Sequence, residues 1–439
     1  MSLIPFGFWA ASGAGGVSYW LSTLGGAVID TGTGVVTDSS GNSYVAGWTN
    51  SPGTKGMLLT KQDSAGVIQW QRTLGANNEG RAVAIDSSDN LYVAIYTSNF
   101  YGSSRTDFVL AKYNSSGVIQ WQRKLGGALE DEPSGIAVDS SENSYIIGFT
   151  ASTGAGGRDL LLAKYNSSGT IQWQRILGGA GNDFGTAAAV DSAGNVYVSG
   201  YQGSAGAGND DFLIAKYNSS GTIQWQRILG GSGTDQSRGL AFDSFDNPYV
   251  VGTTTSAGAG GIDGLLARYD SSGSIQWQRL LGASSSDEFF SIAFDSSDNF
   301  YAVGETQSQG QGSSDFLIAK YNSSGTIQWQ RIIGGTTEDG ARSVSVDAED
   351  NLHIVGTSNS TGEGGNDVFY AKLPSDGSLT GTYVLDGVSI VYAVSTLSPA
   401  TSTLTAATSS LTASTSSLTS STTTFTDASG SLTQHLVEL

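Results

Sequence analysis

One residue returns along this chain at nearly constant intervals, and that interval limits what the chain can fold into. Trp20, Trp70, Trp121, Trp173, Trp225, Trp277 and Trp329 are separated by 50, 51 and then 52 residues. A period of about 50 residues is too long for one hairpin and suits one four-stranded blade of a β-propeller. A second frame counts the same units. Asp-x-x-x-Asn recurs at Asp38/Asn42, Asp86/Asn90, Asp139/Asn143, Asp191/Asn195, Asp243/Asn247, Asp295/Asn299 and Asp347/Asn351. Both counts predict an all-β, seven-bladed propeller.

Each unit reads as two hairpins. AVDSAGNVYVSG (189–200) is a pair of short strands about a turn at Gly194-Asn195, and DFLIAKYNSSGTIQWQR (211–227) is a second pair about Gly221. Both faces of DFLIAKY are apolar, as expected where blades pack face to face. The order within a blade runs from an inner strand at Ala189 to an outer strand carrying Trp225. The chain starts out of phase with this order. Residues 17–24 match an outer strand, while SLTGTYV (378–384) stands where the last IQWQR would be. Residues 17–24 are therefore expected to complete the last blade and close the ring, with 378–384 as the alternative. The domains expected are an apolar docking segment at 1–16, the propeller at 17–384 and a tail at 385–439.

Composition narrows function. A net charge of −19 repels phosphate backbones and anionic membrane surfaces, so neither nucleic acid nor membrane is an expected partner. There is no cysteine, hence no disulfide or thiolate metal site, and no apolar run is long enough to span a membrane. The apolar start lacks the basic region of a secretory signal. His353 and His435 are the only histidines and lie too far apart in sequence to suggest a shared triad or metal. No catalytic residue, cofactor or metal site is expected. The Asp/Asn turns offer too few oxygens for calcium and read as side chain-capped turns. The Asn-Ser-Ser sequences at Asn114, Asn166, Asn218 and Asn322 read as hairpin turns rather than glycosylation sites.

The repeated GNxYVxG, DFLxAKY and IQWQR segments, in that order over residues 17–373, resemble the bacterial β-propeller repeat family called SBBP. The departures are Lys55 for Asp, His353 for Tyr, Arg268 for Lys and the missing last Trp. The resemblance implies the fold and leaves the chemistry open, since the family occurs in secreted, surface and viral proteins.

Repeated residues are expected to be architectural, because catalysis needs unlike groups meeting at one place. The seven tryptophans are assigned to packing between blades. Arg72, Arg123, Arg175, Arg227, Arg279 and Arg331 follow Trp by two residues. They are expected to form charge pairs with Asp107, Asp159, Asp211, Asp263, Asp315 and Asp367 at strand starts. The longer, variable connections after GNxYVxG and after the Trp strand emerge on one face. That face, with Phe100, Tyr101, Gln202, Gln307, Gln309 and Gln311, is the expected binding face.

The tail is rich in Ser and Thr, yet Leu397, Leu404, Leu411, Leu418, Phe425, Leu432 and Leu439 recur every seven residues. Val394, Thr401, Thr408, Thr415, Thr422, Ser429 and Leu436 stand three residues earlier. This 3-4 spacing predicts a helical coiled-coil seam and a homo-oligomer, a trimer being preferred, with an extended β fibre as the competitor. The start and stem together resemble phage fibre organisation. The expected function is a non-enzymatic structural or binding protein of a large assembly, such as a virion fibre, appendage or decoration protein. Its partners would be itself, other virion proteins and a host receptor or glycan. A bacterial surface or secreted adhesion or carbohydrate-binding propeller is the second reading, and a lyase or glycosidase the third.

Overall fold

A computed structural model describes residues 18–439 other than 51–54, 76, 99–105, 363, 403, 409–411, 415–418, 423–426, 430–432 and 439. The N-terminal docking segment therefore lies outside the described residues. Seven antiparallel four-stranded blades surround one axis, and no helix occurs among the described residues. Blades 1 to 6 comprise residues 30–74, 78–126, 131–178, 183–230, 235–282 and 287–334. Blade 7 joins residues 339–373 to the strand Trp20–Gly25, which pairs with Asp367–Leu373. The alternative closing segment goes elsewhere: Gly381–Leu385 pairs with Val388–Val394 on the outside of blade 6.

The core lies between blades rather than within any one of them. In blade 4 the second and third strands, Val196–Gln202 and Asp211–Tyr217, are buried on both faces. Ile147, Leu160 and Leu162 of blade 3 share a cluster with Val196, Val198 and Leu213 of blade 4. Each such aliphatic side chain contributes about 2 kcal/mol of transfer free energy, and a lone blade would expose them. At the opposite end from the variable loops, the Asp/Asn turns are capped as expected. Asp191 Oδ1 accepts the amide protons of Ala193 and Asn195, and the Asn195 side chain donates back to Asp191.

The tail departs from the helical expectation. Its described segments are strands that add a fifth member to the outside of the blades. Val388–Val394, Ser398–Thr401, Thr405–Thr408, Thr412–Ser414, Thr419–Thr422, Asp427–Ser429 and Thr433–Glu438 pair with blades 6, 5, 4, 3, 2, 1 and 7 in turn. The registers are periodic: Gly334 faces Val391, Gly282 faces Ser398, Gly230 faces Thr405, Gly178 faces Thr412, Gly126 faces Thr419 and Gly25 faces Thr433. Each step of seven tail residues retreats by one blade. Seven extended residues reach about 23 Å, so the period is the pitch of a belt around the ring. Ser and Thr are mediocre helix formers, and β-branched Thr suits an edge strand.

The two described leucines of the series explain the rest of the pattern. Leu397 is buried with Leu281 and Phe289, between blades 5 and 6, and Leu404 with Leu229, Leu240 and Leu280, between blades 4 and 5. Each wedges into the rim where the belt crosses a gap. Gln330 and Gln278, from the IQWQR segments, donate to the carbonyls of Leu397 and Leu404 at 2.8 and 3.0 Å. Leu411, Leu418, Phe425, Leu432 and Leu439 lie outside the described residues. Val394, Thr401, Thr408, Thr422, Ser429 and Leu436, expected as the second seam, stand opposite Arg331, Arg279, Arg227, Arg123, Arg72 and Ser22 of the outer strands.

Candidate functional site

The first strand of every blade lines the central channel, and every one of them carries a one-residue bulge at the same level. The bulged residues are Thr33, Arg81, Ser134, Thr186, Arg238, Phe290 and Arg342. A bulge leaves its residue out of the ladder and re-aims the side chain. Here all seven line one cavity of about 480 Å³ at the channel mouth. The level above is formed by Thr31, Glu79, Glu132, Phe184, Gln236, Glu288 and Gly340. Each faces a residue at the end of its second strand: Trp48, Tyr96, Phe149, Tyr201, Thr253, Glu305 and Thr357 respectively. These are the strand ends joined by the variable connections, so the mouth opens on the expected binding face.

Aromatic rings and cations alternate around this mouth. Arg81 stacks on Tyr96, Arg158 on Phe149, Arg238 on Tyr201 and Arg342 on Phe290, at 4.9, 4.8, 5.8 and 4.5 Å. Lys55 stands over Trp48 at 4.0 Å, which gives the departure from Asp at position 55 a local role. Phe184 bridges Phe149 and Tyr201, with ring centroids 5.1 and 4.8 Å away. The cations are braced from outside the cavity. Arg81 meets Glu79 at 3.2 Å, Arg158 meets Glu130 at 2.6 Å, Arg342 meets Glu305 at 3.4 Å, and Arg238 donates to Gln236 at 2.7 Å. Burial raises the pKa of the Glu132 carboxyl, and Arg81 partly offsets this. Burial raises that of Glu288 as well, and neighbouring Glu305 adds to the shift.

The residues singled out from the repeat lie on the outer half of the blades instead. Trp225 donates its indole N–H to Ser271 O of the next blade at 3.1 Å and covers Gly273, whose φ of +79° lets the turn pass beneath the ring. Trp20, Trp70, Trp121, Trp173, Trp277 and Trp329 make the same contact to Ser64, Ser115, Ser167, Ser219, Ser323 and Ser375. Trp20 does so from blade 7 to blade 1, across the closure. Trp20 is fully buried, and the other six are half-buried.

Among the described contacts, Arg123, Arg175, Arg227, Arg279 and Arg331 reach carbonyls rather than the expected aspartates. Arg227 donates to Gly273 O and Ser272 O of the next blade and to Gln226 O. Arg123, Arg175 and Arg279 repeat this pattern, and Arg331 reaches Gly377 O and Gln330 O. The reason is register: Arg227 faces Ile214, three residues along the strand from Asp211. The aspartates turn to the glycine-rich loops. Asp263 accepts the amides of Ala259 and Gly260, and Asp315 those of Gln311 and Gly312. Asp159, Asp211 and Asp367 sit against Gly154, Gly206 and Gly362, where a Cβ would overlap the carboxylate. Asp107 pairs with Lys124 at 2.6 Å.

Other singled-out residues serve the scaffold. Buried His353 bonds Tyr370 and Asp347, and burial lowers its pKa. His435 lies in the last tail strand. Gln309 holds Thr396 of the belt, and Gln202 caps its own loop at Ala205. Phe100 and Tyr101 lie outside the described residues. Reasoning from repetition passed over the mouth because it sought regularity. The available signal was the opposite one: Thr, Glu, Glu, Phe, Gln, Glu and Gly at one repeat position, and Thr, Arg, Ser, Thr, Arg, Phe and Arg two residues on.

The fold defines a seven-bladed propeller with a mouth of unlike residues. The SBBP beta-propeller repeat model matches residues 21–53, 120–154, 172–201 and 224–258, so these segments are similar to repeats of that family. The regulatory protein FlaEY of Caulobacter vibrioides is 27% identical over 230 residues, covering 47% of this chain and 23% of that protein. The uncharacterized WD repeat-containing protein L264 of Acanthamoeba polyphaga mimivirus is 24% identical over 233 residues, covering 38% of this chain and 17% of that protein. The chain thus spans less than a quarter of each relative. Among solved structures, the polysaccharide lyase Uly1 is 8% identical with a TM-score of 0.46, over 79% of this chain and 90% of that one.

Proposed function

We propose that the protein is a non-enzymatic binding propeller that holds its ligand or partner at the mouth of the central channel. One observation carries this reading: inner-strand positions that hold unlike residues from blade to blade converge on one cavity, through a bulge repeated in all seven blades. A scaffold alone would not require unlike residues there. A virion fibre or decoration role drew on a projecting stem. The described tail lies on the blades, so the geometry offers that role no support.

Probing the full chain with a peptide and glycan array tests the reading. Tyr201→Ala, at the mouth, should remove the binding, while Phe245→Ala, an exposed ring on an Asp/Asn turn at the other end of the blade, should leave it intact. Binding that survives Tyr201→Ala but is lost with Phe245→Ala would place the site elsewhere. Release of shortened glycan or peptide by the protein would overturn the non-enzymatic reading.

A further inference from the structure

The bulge level has a specific chemistry. Blades 2, 5 and 7 place Arg81, Arg238 and Arg342 there, and the cavity lining contains three guanidiniums against one carboxylate, Glu132, in a chain of net charge −19. Two of these guanidiniums are ion-paired just outside the lining, Arg81 with Glu79 and Arg342 with Glu305, while Arg238 is held by the neutral Gln236. Each guanidinium is fixed by an aromatic face and by one polar group outside the bulge level. The bracing leaves donors unused: Nε of Arg81 and Nε of Arg238 are buried without a hydrogen-bond partner. A planar carboxylate matches the guanidinium edge.

From this we propose that the mouth binds a small organic polycarboxylate, its carboxylates received by Arg81, Arg238 and Arg342. This rests on the reading of the mouth as the binding site and adds the ligand's class. The cavity volume falls within the few hundred Å³ typical of small-molecule sites, so a compact ligand fits better than a long chain. The aromatic faces each carry a cation, which argues against a neutral sugar stacking on them. Glu132 sets a limit: it repels the ligand and selects against higher charge density.

The test is calorimetry on the full chain, with citrate as the probe and inorganic phosphate and glycerol as comparisons. Citrate is expected to bind one to one, more tightly than phosphate, and more weakly as salt rises. Arg238→Gln should weaken citrate about tenfold, the loss of one charge-assisted contact. Glu132→Gln should tighten it several-fold, a gain that misfolding cannot produce. Absence of saturable citrate binding, or affinity unchanged in both variants, overturns the proposal, and tighter binding of phosphate overturns its carboxylate class. If array binding is lost with Tyr201→Ala while citrate fails to bind, the mouth reading stands and this inference falls. If neither probe responds to mouth variants, both fall.

Discussion

The belt makes a prediction opposite to that of a coiled coil, and Leu404 is the place to test it. Its side chain is 8% exposed and packs with Leu229, Leu240 and Leu280 between two blades. Truncating a buried Leu to Ala costs about 2–5 kcal/mol, depending on how far the site collapses. Leu404 lies at the rim, just before the short outer strand Thr405–Thr408, where the chain can settle inward, so the lower part of that range applies, about 2–3 kcal/mol. Leu397, 2% exposed, occupies the neighbouring gap with Leu281 and Phe289. The two sites lie in different gaps, so their costs should add to within about 0.5 kcal/mol. The double variant should therefore lose about 4–6 kcal/mol of belt attachment. Urea unfolding followed by tryptophan fluorescence measures the global part, and amide exchange over residues 398–408 the local part. Light scattering should show one mass for parent and variant. Unchanged urea midpoint and exchange protection, together with a drop from an oligomeric to a monomeric mass, would refute the belt and restore the seam.

Two further outcomes follow from the outer-strand contacts and the buried aspartates. Arg227→Met should destabilise by about 2–3 kcal/mol through lost hydrogen bonds to the next blade. Its coupling with Asp211→Asn in a double-mutant cycle should stay below about 0.5 kcal/mol, whereas coupling above about 1 kcal/mol would reinstate the charge pair. Burial pushes the Asp315 carboxyl up to about 7 and Asp211 to about 6. A carboxyl whose folded pKa is raised binds more protons folded than unfolded. Its stabilising contribution is complete below the ordinary carboxylate range and is lost as pH rises to about 7, by up to about 1.4 kcal/mol per pH unit. Asp315→Asn should flatten stability between pH 4 and about 7; an undiminished slope in that variant would show that Asp315 does not cause it.

Much of the fold is legible in the sequence. The spacing of Trp and of Asp/Asn sets the number and size of the units, and the out-of-phase Trp20 points to closure by the first strand, because these are repeated local patterns. The period of Leu397 and Leu404 was equally legible, but its meaning was not. A seven-residue repeat of apolar residues suits a helical seam or a belt whose pitch equals the blade spacing, and only the ring's circumference selects between them. Arg227 illustrates the same limit within one blade. Its distance from Asp211 in sequence allows a pair, while the antiparallel register sets it opposite Ile214 and within reach of the next blade's turn.

The mouth depended most on tertiary structure. Seven similar units, their alternating strands, a net charge of −19 and the order of unlike residues at the start of each inner strand are all local properties of the chain. Tertiary structure places Arg81, Arg238 and Arg342, 104 to 261 residues apart in pairs, around one cavity, and pairs the described tail strands with the blades. Local pattern is set by each residue's neighbours along the chain. Convergence on an axis and the path around a rim depend on ring closure and strand register, which arise only when distant segments pair.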